Sequence, residues 1–119
     1  MSLKNKATWF HGSPLILKKL RKGSSITQNE KLAQAFSTKP TIVSVSDDGS
    51  IRHNGKEKGQ VYKIIDTVTS NDIHQHPATM MNEEWEWITK RDFNLQFLYE
   101  YTSTADDFIT EEEIRALKR

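Results

Sequence analysis

His11 is the first residue whose type and setting invite chemistry. It closes the short aromatic run Thr8-Trp9-Phe10 and is followed by Gly12 and Ser13. The imidazole titrates near neutral pH, and the adjoining backbone lacks a Cβ, so a ligand can approach it closely. A second pattern lies far along the chain, where Glu84 and Glu86 flank Trp85. On a strand this two-residue period puts both carboxylates on one face and Trp85 and Trp87 on the other. Such a face is either the exposed polar side of a sheet over a Trp-lined core or the lining of a cleft. In a cleft, one carboxylate would stabilise positive charge developing in a substrate. The chain has no Cys, which excludes disulfides, thiolate zinc sites and a cysteine nucleophile and fits a reducing compartment. His53, His74 and His76 form no metal-ligand spacing with a carboxylate, so no metal site is expected. Ser13 lacks the strand-to-helix glycine elbow of a serine nucleophile.

These residues must be held by elements that the sequence pattern predicts. A strand over Thr8 to His11 ends at Gly12-Ser13-Pro14, and Lys18 to Ser25 reads as a polar surface loop. Thr27-Gln28-Asn29-Glu30 has capping-box spacing for a short helix over Lys31 to Ala35, and Phe36-Ser37-Thr38 reads as a brief strand. Lys39-Pro40 places Pro for a turn or helix start. Thr41 to Ser46 fits either a strand or a buried helical turn. Asp47-Asp48-Gly49 is a turn, and Asn54-Gly55 is a hairpin signal joining a strand over Ser50 to His53 to one over Gly59 to Asp66. Thr67 to Asn82 has no sustained period and is expected to be irregular. Strands over Glu84 to Thr89 and Asn94 to Tyr101 follow, and Thr110-Glu111-Glu112-Glu113 caps a C-terminal helix. Strands and helices do not alternate regularly, which predicts an α+β fold.

At 119 residues the chain has the length of a single domain, spanning 1 to 119. Hydrophobic residues are 35% and charged residues 28%, so large aromatic side chains must fill a lean core. No apolar run is long enough for a membrane span and the N-terminus lacks the apolar block of a secretory signal, so no membrane partner and a cytoplasmic location are expected. Six of the 17 basic groups (Lys4, Lys6, Lys18, Lys19, Arg21 and Lys22) precede every one of the 16 acidic groups. This arm is either a solvated surface or a local positive potential for phosphate groups.

Phe10-His11-Gly12-Ser13, Ala35-Phe36-Ser37-Thr38, Gly59-Gln60-Val61-Tyr62-Lys63-Ile64 and Glu84-Trp85-Glu86-Trp87-Ile88-Thr89 occur in this order. The ordered set resembles small ADP-ribosyltransferase-like proteins over roughly residues 8 to 101. It is most similar to the diphtheria-toxin-type branch, which includes poly-ADP-ribose polymerases, rifampin-modifying transferases and NAD-dependent RNA 2'-phosphotransferases.

The resemblance implies a split β-sandwich of antiparallel sheets with a few short helices, binding NAD as substrate in a cleft. It implies that His11 hydrogen-bonds the adenine-side ribose and that the Gly12 backbone, with Ser13 beside it, holds the nicotinamide carboxamide. Ser37 is implied to lie beside the nicotinamide. The family's stacking Tyr is absent, and Phe36 is the aromatic residue nearest that position. Glu84 matches the family's acidic residue, with Glu86 as second choice. The implied function is transfer of ADP-ribose to an acceptor that the sequence does not identify: a protein, a nucleic acid or a small molecule. Two alternatives are a catalytically degraded module of the same fold that binds a nucleotide or protein, and an RNA 2'-phosphotransferase-like protein. The last would need several arginines around the cleft, for which Arg21, Arg52 and Arg91 are available.

Overall fold

The computed structural model describes residues 8–45, 50–75, 86–110, 112 and 115. Strand β1 (Phe10–Ser13) leads through β2 (Lys19–Leu20) and β3 (Ser25–Ile26) to helix α1 (Glu30–Ser37). Strands β4 (Val43–Val45), β5 (Ile51–His53), β6 (Gly59–Ile64), β7 (Ile73–Gln75), β8 (Trp87–Thr89) and β9 (Phe93–Tyr101) complete the described framework. The described residues form an α+β fold of antiparallel sheets against which the short helix α1 packs. One sheet has the order β1-β6-β9-β2, a second β3-β8-β7, and β4 pairs with β5.

β1 belongs to the first sheet through its register with β6, Phe10 opposite Lys63 and Ser13 opposite Gln60. It also touches the second sheet. Phe10 and Thr27 exchange backbone hydrogen bonds, Phe10 N to Thr27 O at 2.7 Å and Thr27 N to Phe10 O at 3.0 Å. The main core fills the space this leaves between the sheets, with Trp9, Leu20, Ile26, Ile64, Ile73, Trp87 and Phe93 all buried. Trp9 and Trp87 meet edge to face at 6.2 Å, an arrangement that ring quadrupoles favour. A smaller cluster of Leu32, Ala35 and Ile51, joined by Phe36 and Val43, seats α1.

Several local expectations are corrected. Asn29, not Thr27, caps α1, accepting from Leu32 N at 3.2 Å, while the Thr27 hydroxyl accepts from Asn29 N. The helix runs on through Phe36 and Ser37, where a strand was predicted, because Leu32, Ala35 and Phe36 share the face that packs on Ile51 and Val43. Lys39-Pro40 ends the helix: Lys39 takes the left-handed conformation (φ 57°) that follows many helix termini. The polar segment 18–25 contains β2 and the first residue of β3; core Leu20 lies between exposed Lys19 and Arg21, and core Ile26 between half-buried Ser25 and buried Thr27.

Asn54-Gly55 is not a hairpin turn. β5 pairs with β4, Val43 opposite His53 and Val45 opposite Ile51, which also settles 43–45 as a strand. The Asn54 carboxamide instead accepts from Thr41 N and Ile42 N at 2.9 and 3.0 Å and donates to the Thr41 hydroxyl at 2.7 Å. Gly55 is required for another reason, since a Cβ there would collide with the Thr38 side chain. The segment expected to be irregular after Thr67 contains a 3-10 turn (Ser70–Asp72) and then β7. Thr69 and Asp72 cap the turn reciprocally, and buried Ile73 fastens the strand to the core. The predicted C-terminal helix lies largely outside the described residues.

Candidate functional site

Strands β1, β3 and β8 converge on Ser25. In the β3–β8 ladder Ser25 stands opposite Ile88 and Ile26 opposite Trp87. Side chains alternate between faces, so Glu86 lies on the Ser25 and Ile88 side while Trp87 turns into the core with Ile26. Glu86 and Ser25 are therefore diagonal cross-strand neighbours, and the Ser25 hydroxyl donates to Glu86 Oε2 at 3.0 Å. On the other side His11 Nδ1 lies 2.7 Å from the Ser25 carbonyl oxygen. An imidazole and a carboxylate that are 75 positions apart in sequence are thus tied to the two polar groups of one residue. All three side chains are half-buried.

A carbonyl only accepts, so the short contact places the proton of neutral His11 on Nδ1 and leaves Nε2 as an acceptor. Desolvation by burial lowers the His11 pKa from its ordinary value of 6.5, against the opposing pull of the Ser25 carbonyl. Neutral His11 can accept a hydrogen bond from a hydroxyl, as a ribose would supply.

Gly12 sits at the site for a packing reason. A Cβ on it would collide with the carbonyl oxygen of Ala33 and approach Ser37 N at 2.8 Å, so α1 lies directly against β1 at this residue. That side of Gly12 is filled by the helix backbone and is not open to a ligand. Ser13 closes the strand, its hydroxyl accepting from Leu15 N at 3.1 Å. Ser37 is fully buried, with its hydroxyl donating to Gln34 O at 2.6 Å and its side chain against Gly59. Phe36 is partly buried in the α1 cluster. Neither Ser37 nor Phe36 joins the His11–Ser25–Glu86 group, and Glu84 lies outside the described residues.

Ser25 was missed in the sequence because a serine in a polar, Gly-containing stretch carries no distinguishing signal. Only the β3–β8 register selects it. In the basic arm, Lys19 adds only a small pull to the Asp66 carboxyl, which hydrogen bonds from Asn94 chiefly hold below its ordinary range, and Lys22 is anchored through its backbone, whose N donates to Asp92 Oδ1 at 2.8 Å. Arg91 is engaged structurally, bonding Asp72 Oδ1 at 3.0 Å and Thr67 O at 3.2 Å while stacking 4.1 Å above Phe93.

His53 serves the framework and His74 the surface. His53 is buried, and its Nδ1 accepts from Gly55 N at 3.1 Å, which puts its proton on Nε2. His74 is exposed on β7, and His76 lies outside the described residues. Among the described residues no three His, Asp or Glu side chains gather to hold a metal ion, and no helix is long and apolar enough to cross a membrane.

Comparison of the chain with protein-family models, with curated proteins and with solved structures finds no match. The geometry therefore carries the functional argument. Burial lowers the pKa of both His11 and His53, in the second case against the charge of Asp107. The unfolded chain then binds more protons than the folded one between the lowered folded values and the ordinary value of 6.5, so this stability is present above 6.5 and is lost as pH falls from there through the folded values. The lowered Asp66, Asp72 and Asp107 act in the same direction only below their ordinary value of 3.8. A denaturation midpoint measured at pH 7.5 will exceed that at pH 5.5; a midpoint that is unchanged or higher at pH 5.5 contradicts this assignment.

Proposed function

We propose that the chain is an NAD-dependent ADP-ribosyltransferase-like enzyme, with His11 holding the dinucleotide through a ribose hydroxyl and Glu86 stabilising the sugar cation. The single observation that carries this reading is the attachment of His11 and Glu86 to the carbonyl and hydroxyl of Ser25. The reaction explains the residue types. When the bond between nicotinamide and ribose C1' breaks, its electron pair leaves with neutral nicotinamide and positive charge develops over C1' and the ring oxygen. A carboxylate accepting from the ribose 2'-hydroxyl strengthens as that charge grows, so it stabilises the transition state more than the substrate. The nucleophile then bonds C1' and releases a proton. Glu86 takes precedence over Glu84 in this proposal because its carboxylate is held beside the group that orients His11.

A second reading rests on α1. With Phe36 packed against the small core and Ser37 buried, neither supplies a clamp for the nicotinamide ring. This favours a module that binds a nucleotide without turnover. The RNA 2'-phosphotransferase-like alternative loses support from the commitment of Arg91 to Asp72 and Phe93. Purified protein incubated with NAD separates the first two. Nicotinamide release that His11→Ala removes supports the enzyme, and saturable NAD binding without release supports the module. Absence of both binding and release contradicts both.

A further inference from the structure

We propose that Ser25 is a positioning residue for this site: its backbone carbonyl selects the His11 tautomer while its hydroxyl independently orients the Glu86 carboxylate. The inference rests on the reading of the site given above. Its basis is that one residue makes both contacts with chemically different groups, at 2.7 Å to His11 Nδ1 and 3.0 Å to Glu86 Oε2.

The two contacts are supported differently. The carbonyl is part of β3, whose backbone is fixed on several sides. Ile26 is buried opposite Trp87, Thr27 is bridged to Phe10, and Ser24 N donates to the buried Thr89 hydroxyl at 3.1 Å. Thr89 N in turn donates to Ser24 O at 2.9 Å, and Gly23 N donates to Thr89 O at 2.9 Å. The position of the Ser25 carbonyl is therefore a property of the sheet and does not depend on the serine side chain. The hydroxyl is a single rotor, and what it holds is the end of a Glu side chain with three rotatable bonds. A hydrogen bond to a carboxylate is stronger than one between neutral groups, so it restricts the rotamers that Glu86 samples before substrate arrives. A carboxylate already fixed in place needs no reorganisation as charge develops on the sugar.

Substitution separates the two roles. Ser25→Ala keeps the carbonyl and removes the hydroxyl; Ser25→Thr keeps both; Ser25→Val matches Thr in shape without a hydroxyl and, like Thr, suits a strand. In the nicotinamide-release assay, Ala and Val are expected to lower kcat by about 10- to 100-fold, the range for a hydrogen bond to a charged group, with little change in KM. Thr restores kcat. By NMR, the Glu86 side-chain carboxyl carbon resonance moves in Ala and Val and returns toward its original position in Thr. The His11 nitrogen resonances keep the Nδ1–H pattern in all three.

Equal kcat in Val and Thr, or an unmoved Glu86 resonance in both Ala and Val, overturns the proposal. Loss of the His11 tautomer in Ala also overturns it, because the residue then acts only by holding the strand. The carboxyl resonance needs no substrate. If the unmodified protein neither binds NAD nor releases nicotinamide, the enzymatic reading fails, and the resonance comparison still decides whether Ser25 holds Glu86.

Discussion

Under the proposed function, Glu86→Gln is expected to lower the rate of nicotinamide release from NAD by about 10²- to 10³-fold, a loss of about 3 to 4 kcal/mol of transition-state stabilisation, with little change in NAD affinity. Gln keeps the shape of Glu and can still accept from the Ser25 hydroxyl, which donates to Oε2 at 3.0 Å in the native protein. The substitution therefore removes the negative charge while keeping the contact with Ser25. The cost falls on kcat because the charge it opposes is fully developed only as the glycosidic bond breaks. Steady-state kinetics of nicotinamide release checks it. A Glu86→Gln protein with unchanged kcat would contradict the assignment, and a loss confined to Glu84→Gln would move the carboxylate role to that residue.

Gly12→Ala is expected to have the largest structural effect. The added methyl group would collide with the Ala33 carbonyl and press on Ser37 N, and both are main-chain atoms of α1. A side chain can rotate away from an intruding methyl group, but here either the helix or β1 must move. β1 is paired with β6 through Gly12 opposite Val61, and α1 is seated by buried Leu32, Ala33 and Ala35, so neither can shift without losing core contacts. Overpacking of this kind costs about 3 kcal/mol. For a domain of this length that lowers the melting temperature by about 10 °C. Thermal unfolding measures the loss, and an unchanged melting temperature would mean that α1 does not lie against β1 as described. The substitution also separates two reasons for a glycine after His11: the helix accounts for this one without any ligand.

The parts of this account that were legible in the sequence are those where alternation decides both the element and its faces. The Glu-Trp period correctly placed Glu86 and Trp87 on opposite faces, because a buried Trp and an accessible carboxylate cannot exchange sides without exposing one and desolvating the other. The strands expected over Gly59 to Asp66 and Asn94 to Tyr101 are observed as Gly59–Ile64 and Phe93–Tyr101, but alternation does not assign the faces of the first, where Val61 and Tyr62 are both buried beside a register shift against β9. What was not legible depended on distant partners. Asn54-Gly55 has the chemistry of a tight turn, but its carboxamide is engaged with Thr41 and Ile42, and the neighbouring strand pairs backward with β4. Phe36 and Ser37 looked like a strand in isolation. They are helical because the small core rewards continuation of the apolar face by one more turn. Ser25 has no local signature at all, and its importance comes from the register that sets it diagonally across from Glu86 and within reach of His11.

In the proposed function His11 and Glu86 serve one ligand around Ser25. The most direct measurement is a titration of the protein with NAD in which the His11 imidazole nitrogens and the Glu86 carboxyl carbon are followed together by NMR. Both resonances are expected to move along curves with the same midpoint, with the change at His11 largest on Nε2, the ring nitrogen left to accept from a ribose hydroxyl. Saturation of the protein with NAD while both resonances stay fixed, or movement of the two with different midpoints, would contradict it.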